Sequence, residues 1–132
     1  MTVKANLTSS APHIVGATEY NDLADWGDQP DCIDGQSKSS GRLLFKRPDP
    51  AVGGNSPEVG LWVCTPGKWP LSIPRDEFCH FIAGRATYVR DTVDGSGGEV
   101  IEVRPGAIVH FHAGWTGICT VHETIRNAYM LR

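Results

Sequence analysis

From residue 60 onward the chain is a succession of short apolar or alternating runs, each closed by turn-forming residues. The runs "LWVC", "EFCHFI", "ATYVR", "EVIEV", "AIVHF", "ICTVH" and "TIRNAYML" follow one another, and "TPGKWP", "DGSGG", "RPG" and "HAGW" separate nearly all of them. None carries a long helical period, while "EVIEV" alternates as a strand with one wet face does. Glycine and proline, 15 and 9 of the 132 residues, are scattered without a repeat, which suits tight turns better than helices. Even spacing of many short strands predicts an all-β fold, a sandwich or a barrel. "DGSGG" reads as a hairpin turn, because neither G-x-G-x-x-G spacing nor a following helix is there to cradle a phosphate.

The preceding part has a different character. Residues 1 to about 40 are polar and broken by Gly, Pro, Asp and Ser. "TEYNDLADW" is expected to hold one short helical turn, "DQPDCIDGQSKSSG" a loop, "GRLLFKR" a first strand and "PDPAVGGNSP" another loop. The length allows a single compact core. Residues 1–57 are therefore expected to form an arm with one or two strands packing on the barrel, and residues 58–132 the barrel domain.

The net charge of −3, with no basic cluster longer than Lys46-Arg47, argues against nucleic acid and anionic membranes as partners. The N-terminal stretch lacks the apolar segment of a secretory signal, and no apolar run approaches the roughly 20 residues of a membrane span. A cytoplasmic location is expected. Cys32, Cys64, Cys79 and Cys119 form no C-x-x-C pair, so free thiols are expected rather than disulfides or a zinc knuckle.

Two stretches resemble the paired motifs of the cupins, small jelly-roll barrels. "PGKWPLSIPRDEFCHFIAG" supplies the Pro66-Gly67 opening and Glu77 at the motif's spacing from Gly84, and "GAIVHFHAGWTGICTV" supplies Gly106 and Gly114. More narrowly, "GLWVCTPGKW", "DEFCHFIAGRAT", "AGWTG" and "ETIRNAY" are similar to the single-domain cupins grouped with the ureidoglycine aminohydrolase cupin domain, over residues 58–131. The resemblance implies a jelly-roll barrel with a small-molecule pocket, and commonly a homodimer. It also implies a metal held by two His and a Glu from the first motif and a His from the second. Here "PLSIP" stands where the His pair would be, Gly117 where the second-motif His would be, and His112 replaces that motif's Pro. Only Glu77 remains, and one carboxylate cannot hold a transition metal firmly. The usual metal site is absent, and no cofactor is expected.

If Glu77 points inward as the motif implies, period-two alternation places Cys79 and Phe81 with it. The same count from Gly117 puts Cys119 and Val121 inside, with Trp62 and Cys64 on a neighbouring strand and Trp69 and Trp115 near the barrel mouth. A buried carboxyl of raised pKa beside a small-molecule ligand is a candidate general acid or base. The plainer readings stay open. Glu77 is otherwise a solvated charge beside Arg75 and Asp76, the thiols are small hydrophobes, and the two Trp residues seal the core or a dimer contact. His110 and His112, at i and i+2, together with Glu77 make an alternative, relocated site for a divalent transition metal; otherwise His110 is a half-buried strand residue and His112 caps a turn. Arg126 and Tyr129 belong to the family's pattern and either anchor the last strand or place a cation near a pocket carboxyl.

Three functions follow from these readings. The leading one is a cupin that binds a small polar metabolite, with Glu77 as acid or base. The second is a metal-dependent enzyme, aminohydrolase-like or an isomerase or lyase, using relocated ligands. The third is a non-catalytic ligand-sensing module.

Overall fold

The computed structural model describes residue 16 and residues 23–46 and 57–132. Eight strands are present among them: β1 (Ala24–Asp28), β2 (Lys38–Lys46), β3 (Glu58–Cys64), β4 (Gly67–Ser72), β5 (Glu77–Arg90), β6 (Val100–Val103), β7 (Ile108–Phe111) and β8 (Thr116–Leu131). Every pairing between them is antiparallel. Among the described residues no helix is long and apolar enough to cross a membrane. The fold is all-β, a jelly-roll barrel.

Two long strands organise it. Runs that look separate in sequence are continuous here: "EFCHFI" and "ATYVR" are both in β5, and "ICTVH" and "TIRNAYML" are both in β8. These two strands pair with each other along almost their whole length. The free edge of β8 is taken by β4 toward its start and β3 toward its end, while the free edge of β5 is taken by β7 and then β6. The ladder between the long strands slips three times from Phe81 to Ala86. Gly84 lies at that irregularity with φ of 83°, and a Cβ there would run into the Thr124 carbonyl. Such bulges strengthen twist and bend a strand, which lets one sheet curve around a core.

The interior is aromatic. The Tyr88 ring lies 5.1 Å from Phe111, 6.3 Å from Phe81 and 6.4 Å from Trp115, the last two edge-on. Full burial of one such ring contributes roughly 1.5–3 kcal/mol.

Three local expectations need correction. The described end of "TEYNDLADW" is strand, since Ala24, Asp25 and Trp26 belong to β1; the rest of that stretch lies outside the described residues. "TPGKWP" is largely strand, because Trp69 is 1% exposed and β4 carries it into the core, while Pro70, which has no N–H to give, is tolerated on a strand whose second edge is bridged at Lys68, by Asp34, rather than along its length. The loop expected at "DQPDCIDGQSKSSG" ends early, with β2 beginning at Lys38. The loop "PDPAVGGNSP" falls, except for Pro57, outside the described residues.

Candidate functional site

Register places the polar groups of the interior. Glu58 lies opposite Leu131, Leu131 opposite Glu77, and Glu77 opposite Phe111, so β3, β8, β5 and β7 contribute one row across the inner face. In the parallel row two residues along, Gly60 faces Tyr129 and Tyr129 faces Cys79. Gly60 is needed there, because a Cβ would press on the Tyr129 hydroxyl. These rows border a cavity of about 270 Å³ whose walls also include Trp62, Trp69, Leu71, Tyr88 and Asn127. Trp26 of β1 and Gln29 just after it line the same cavity.

Two carboxyl groups face this space in different company. Glu58 accepts a hydrogen bond from the Tyr129 hydroxyl at 2.7 Å and lies 3.8 Å from Arg75 and 3.9 Å from Lys46. Glu77 accepts one from the Cys79 thiol at 3.1 Å. Burial raises the Glu77 pKa; the Cys79 hydrogen bond and the Arg75 charge work against that rise, and Glu58 adds to it. Burial and the bond to Glu58 likewise hold Tyr129 in its neutral form. Among the described residues no Lys or Arg lines the cavity, and the Asn127 side-chain oxygen at its wall has no hydrogen-bond partner. A carboxyl that holds its proton more tightly than usual is a better proton donor for a bound ligand than an ordinary, fully ionised one.

Of the residues singled out in the sequence, Trp62, Trp69 and Glu77 line the cavity, with the two indoles edge to face at 6.2 Å. Cys64, Cys79, Phe81, Trp115, Cys119 and Val121 are buried in the core cluster and are not in the cavity wall. Burial pushes the Cys64 thiol to about 11 and Cys119 to about 12, and Cys79 higher still, with Glu77 adding to the burial effect. These three stay protonated, which suits small hydrophobes rather than nucleophiles. Arg126, almost fully buried in β8 between Ile125 and Asn127, is absent from the cavity wall.

Sequence reasoning missed Glu58, Tyr88, Phe111, Asn127, Trp26 and Gln29. Tyr88 and Phe111 carried a signal, as large apolar residues within expected strands. Glu58 and Trp26 carried none, because only the pairing of β3 with β8 and of β1 with β2 brings them to the site.

The relocated metal set does not assemble as expected. Phe111 is 2% exposed and faces inward beside Glu77, so His110 and His112, one step to either side, lie on the opposite face. The carboxylate that meets them is Asp76: ligand atoms of Asp76, His110 and His112 all lie within 4.8 Å of one another. The usual inner metal site is blocked as well as unsupplied. At Gly117, where the second-motif His would stand, a Cβ would collide with the Val89 carbonyl and the Trp115 ring.

Comparison with known proteins agrees with this architecture. The family model described as the EutQ-like cupin domain matches residues 54–129. No curated protein matches the chain. Among solved structures, a candidate ethanolamine utilization protein Q from Salmonella typhimurium LT2 is 17% identical, with a TM-score of 0.53 over 71% of this chain and 68% of that one. The EutQ protein of Clostridium difficile is 14% identical, with a TM-score of 0.52 over 72% and 68%. A DUF861-family protein of unknown function from Pseudomonas syringae pv. tomato str. DC3000 is 19% identical, with a TM-score of 0.67 over 93% of this chain but only 51% of its own length. At these identities the likeness is one of fold.

Proposed function

Because this chain belongs to the EutQ-like cupin domain family, we propose that its barrel cavity binds a small polar metabolite and that Glu77 acts there as a general acid or base. The observation that carries this reading is the Glu77 carboxyl, turned toward a cavity and held more readily protonated by its burial. One positioned carboxyl of this kind suffices for isomerisation, elimination or hydrolysis of an amine. The walls favour a ligand with an amine or amide group. They offer two carboxyl groups, aromatic faces from Trp26, Trp62, Trp69 and Tyr88, and the Asn127 oxygen, and among the described residues no cation is in the wall itself. The resemblance to the ureidoglycine aminohydrolase cupins points to nitrogen metabolites as well.

A thermal-shift screen of small amine and amide metabolites, with hits followed for conversion by NMR, tests this reading. The expected outcome is a hit that raises the melting temperature and is converted by the wild type. Glu77→Gln should then retain binding and lose roughly 100-fold or more of the conversion rate. Unchanged conversion in Glu77→Gln would remove Glu77 as the acid or base. Binding without conversion by the wild type would make the protein a ligand-sensing module.

A further inference from the structure

The outer face of the same strand pair carries a second constellation, built by the alternation that turns Glu77 inward. β5 begins at Glu77, so Asp76 just before it faces the other way, and His110 and His112 flank the inward Phe111 on β7 and just beyond it. Continuing the ladder by one step sets Asp76 against His112. The Asp76 carboxylate lies 4.0 Å from His110 Nε2, and the two imidazole rings are 4.3 Å apart.

Two of the three side chains are held in orientation by neighbours. The backbone N–H of Ala113 donates to Asp76 Oδ1 at 2.9 Å, and the His110 ring stacks on Phe78 at 4.4 Å with 4° between the planes. The Asp76 backbone is pinned too, its carbonyl accepting the Arg132 N–H at 3.0 Å. Fixed rings and an oriented carboxylate are what outer-shell contacts supply at metal centres.

We propose that Asp76, His110 and His112 form a surface site for a divalent transition metal such as zinc, cobalt(II), nickel or copper(II). Two imidazoles and one carboxylate are a borderline donor set that suits these ions better than calcium or magnesium, which want oxygen cages. Ligand atoms about 2.0–2.1 Å from an ion stand roughly 3–3.4 Å from one another, so the present separations close by small rotations, chiefly of the exposed His112 side chain. Three protein ligands leave coordination positions for water or an incoming donor. The Arg132 charge nearby opposes the ion. The proposal does not depend on the cavity reading, since Glu77 belongs to the other face.

Equilibrium dialysis of tag-free protein against zinc or cobalt(II) tests it, with metal counted by plasma mass spectrometry. One equivalent per chain is expected. Asp76→Ala, His110→Ala and His112→Ala should each weaken binding about tenfold or more, and Glu77→Gln should leave it unchanged. On the wild type itself, substoichiometric cobalt(II) should broaden the NMR signals of His110 and His112 before those of His80 and His122. No stoichiometric uptake would overturn the proposal. So would uptake that survives Asp76→Ala but is lost with Glu77→Gln, or equal broadening of His80, His110, His112 and His122.

Discussion

Asp76 and Glu77 are adjacent in the chain, yet one belongs to the outer face of the barrel and the other to its cavity. Asp76 is drawn below the ordinary carboxylate range, first by the Ala113 N–H and then by the neighbouring His110, His112 and Arg132 charges. Glu77 is raised, first by burial. Two carboxylic acids of nearly equal intrinsic strength thus behave as different reagents because a strand turns successive side chains to opposite sides. The inner face is aromatic and poor in cations; the outer face offers imidazoles. The two faces carry two separate proposals, a proton-transfer pocket within and a metal-binding surface without.

The largest test of that separation is Gly117→His, which restores the missing metal-motif histidine. It should cost about 3 kcal/mol by overpacking, since even a Cβ there meets the Val89 carbonyl and Trp115. Denaturant titration reads the loss; an undiminished midpoint with new metal uptake would show that the inner face can serve as a metal centre after all.

Tyr129→Phe is next. Removing the hydroxyl that donates to Glu58 should lower stability by about 1.5 kcal/mol, measured in the same titration. No change would mean that Glu58 is satisfied by Arg75 and Lys46 alone.

Glu77→Gln should act in the opposite direction and more weakly. A raised carboxyl pKa means that stability is fully present below the ordinary value of 4.5 and is lost as pH rises through the folded-state value. The variant should therefore melt higher than wild type at about pH 8 and at the same temperature near pH 3. A gain that persists at low pH would assign the effect to packing rather than to charge.

The smallest effect is expected on the outside. Phe78 is 41% exposed, and Phe78→Ala should change stability by only about 0.5 kcal/mol. Phe45, Val59, Met130, Phe78 and His110 form one row across five strands. A loss as large as that of a core residue would mean that this row is covered in solution, and light scattering would then show a dimer.

Much of this was legible from residue order. The β rhythm and the glycine-marked turns follow from short-range chemistry, and "DGSGG" does join the hairpin of β5 and β6. The loss of the usual metal ligands at "PLSIP" and Gly117 could be read directly, and alternation from Glu77 placed Cys79 and Phe81 on its face. Local readings went wrong where distant parts of the chain overrode local signals: burial did so at Trp69 in a Pro-Gly-rich stretch, and pairing with β2 did so at Trp26 in a polar one.

By itself, then, the sequence determined the strand periodicity, the turns and which residue types each strand could offer. The tertiary structure decided which strands became neighbours. That choice set Glu58 beside Glu77 across Leu131, brought Trp26 of β1 to the cavity and gave the two histidines Asp76 instead of Glu77. Pairing register is a property of distant segments closing on a common core, and a shift of one residue would exchange the two faces.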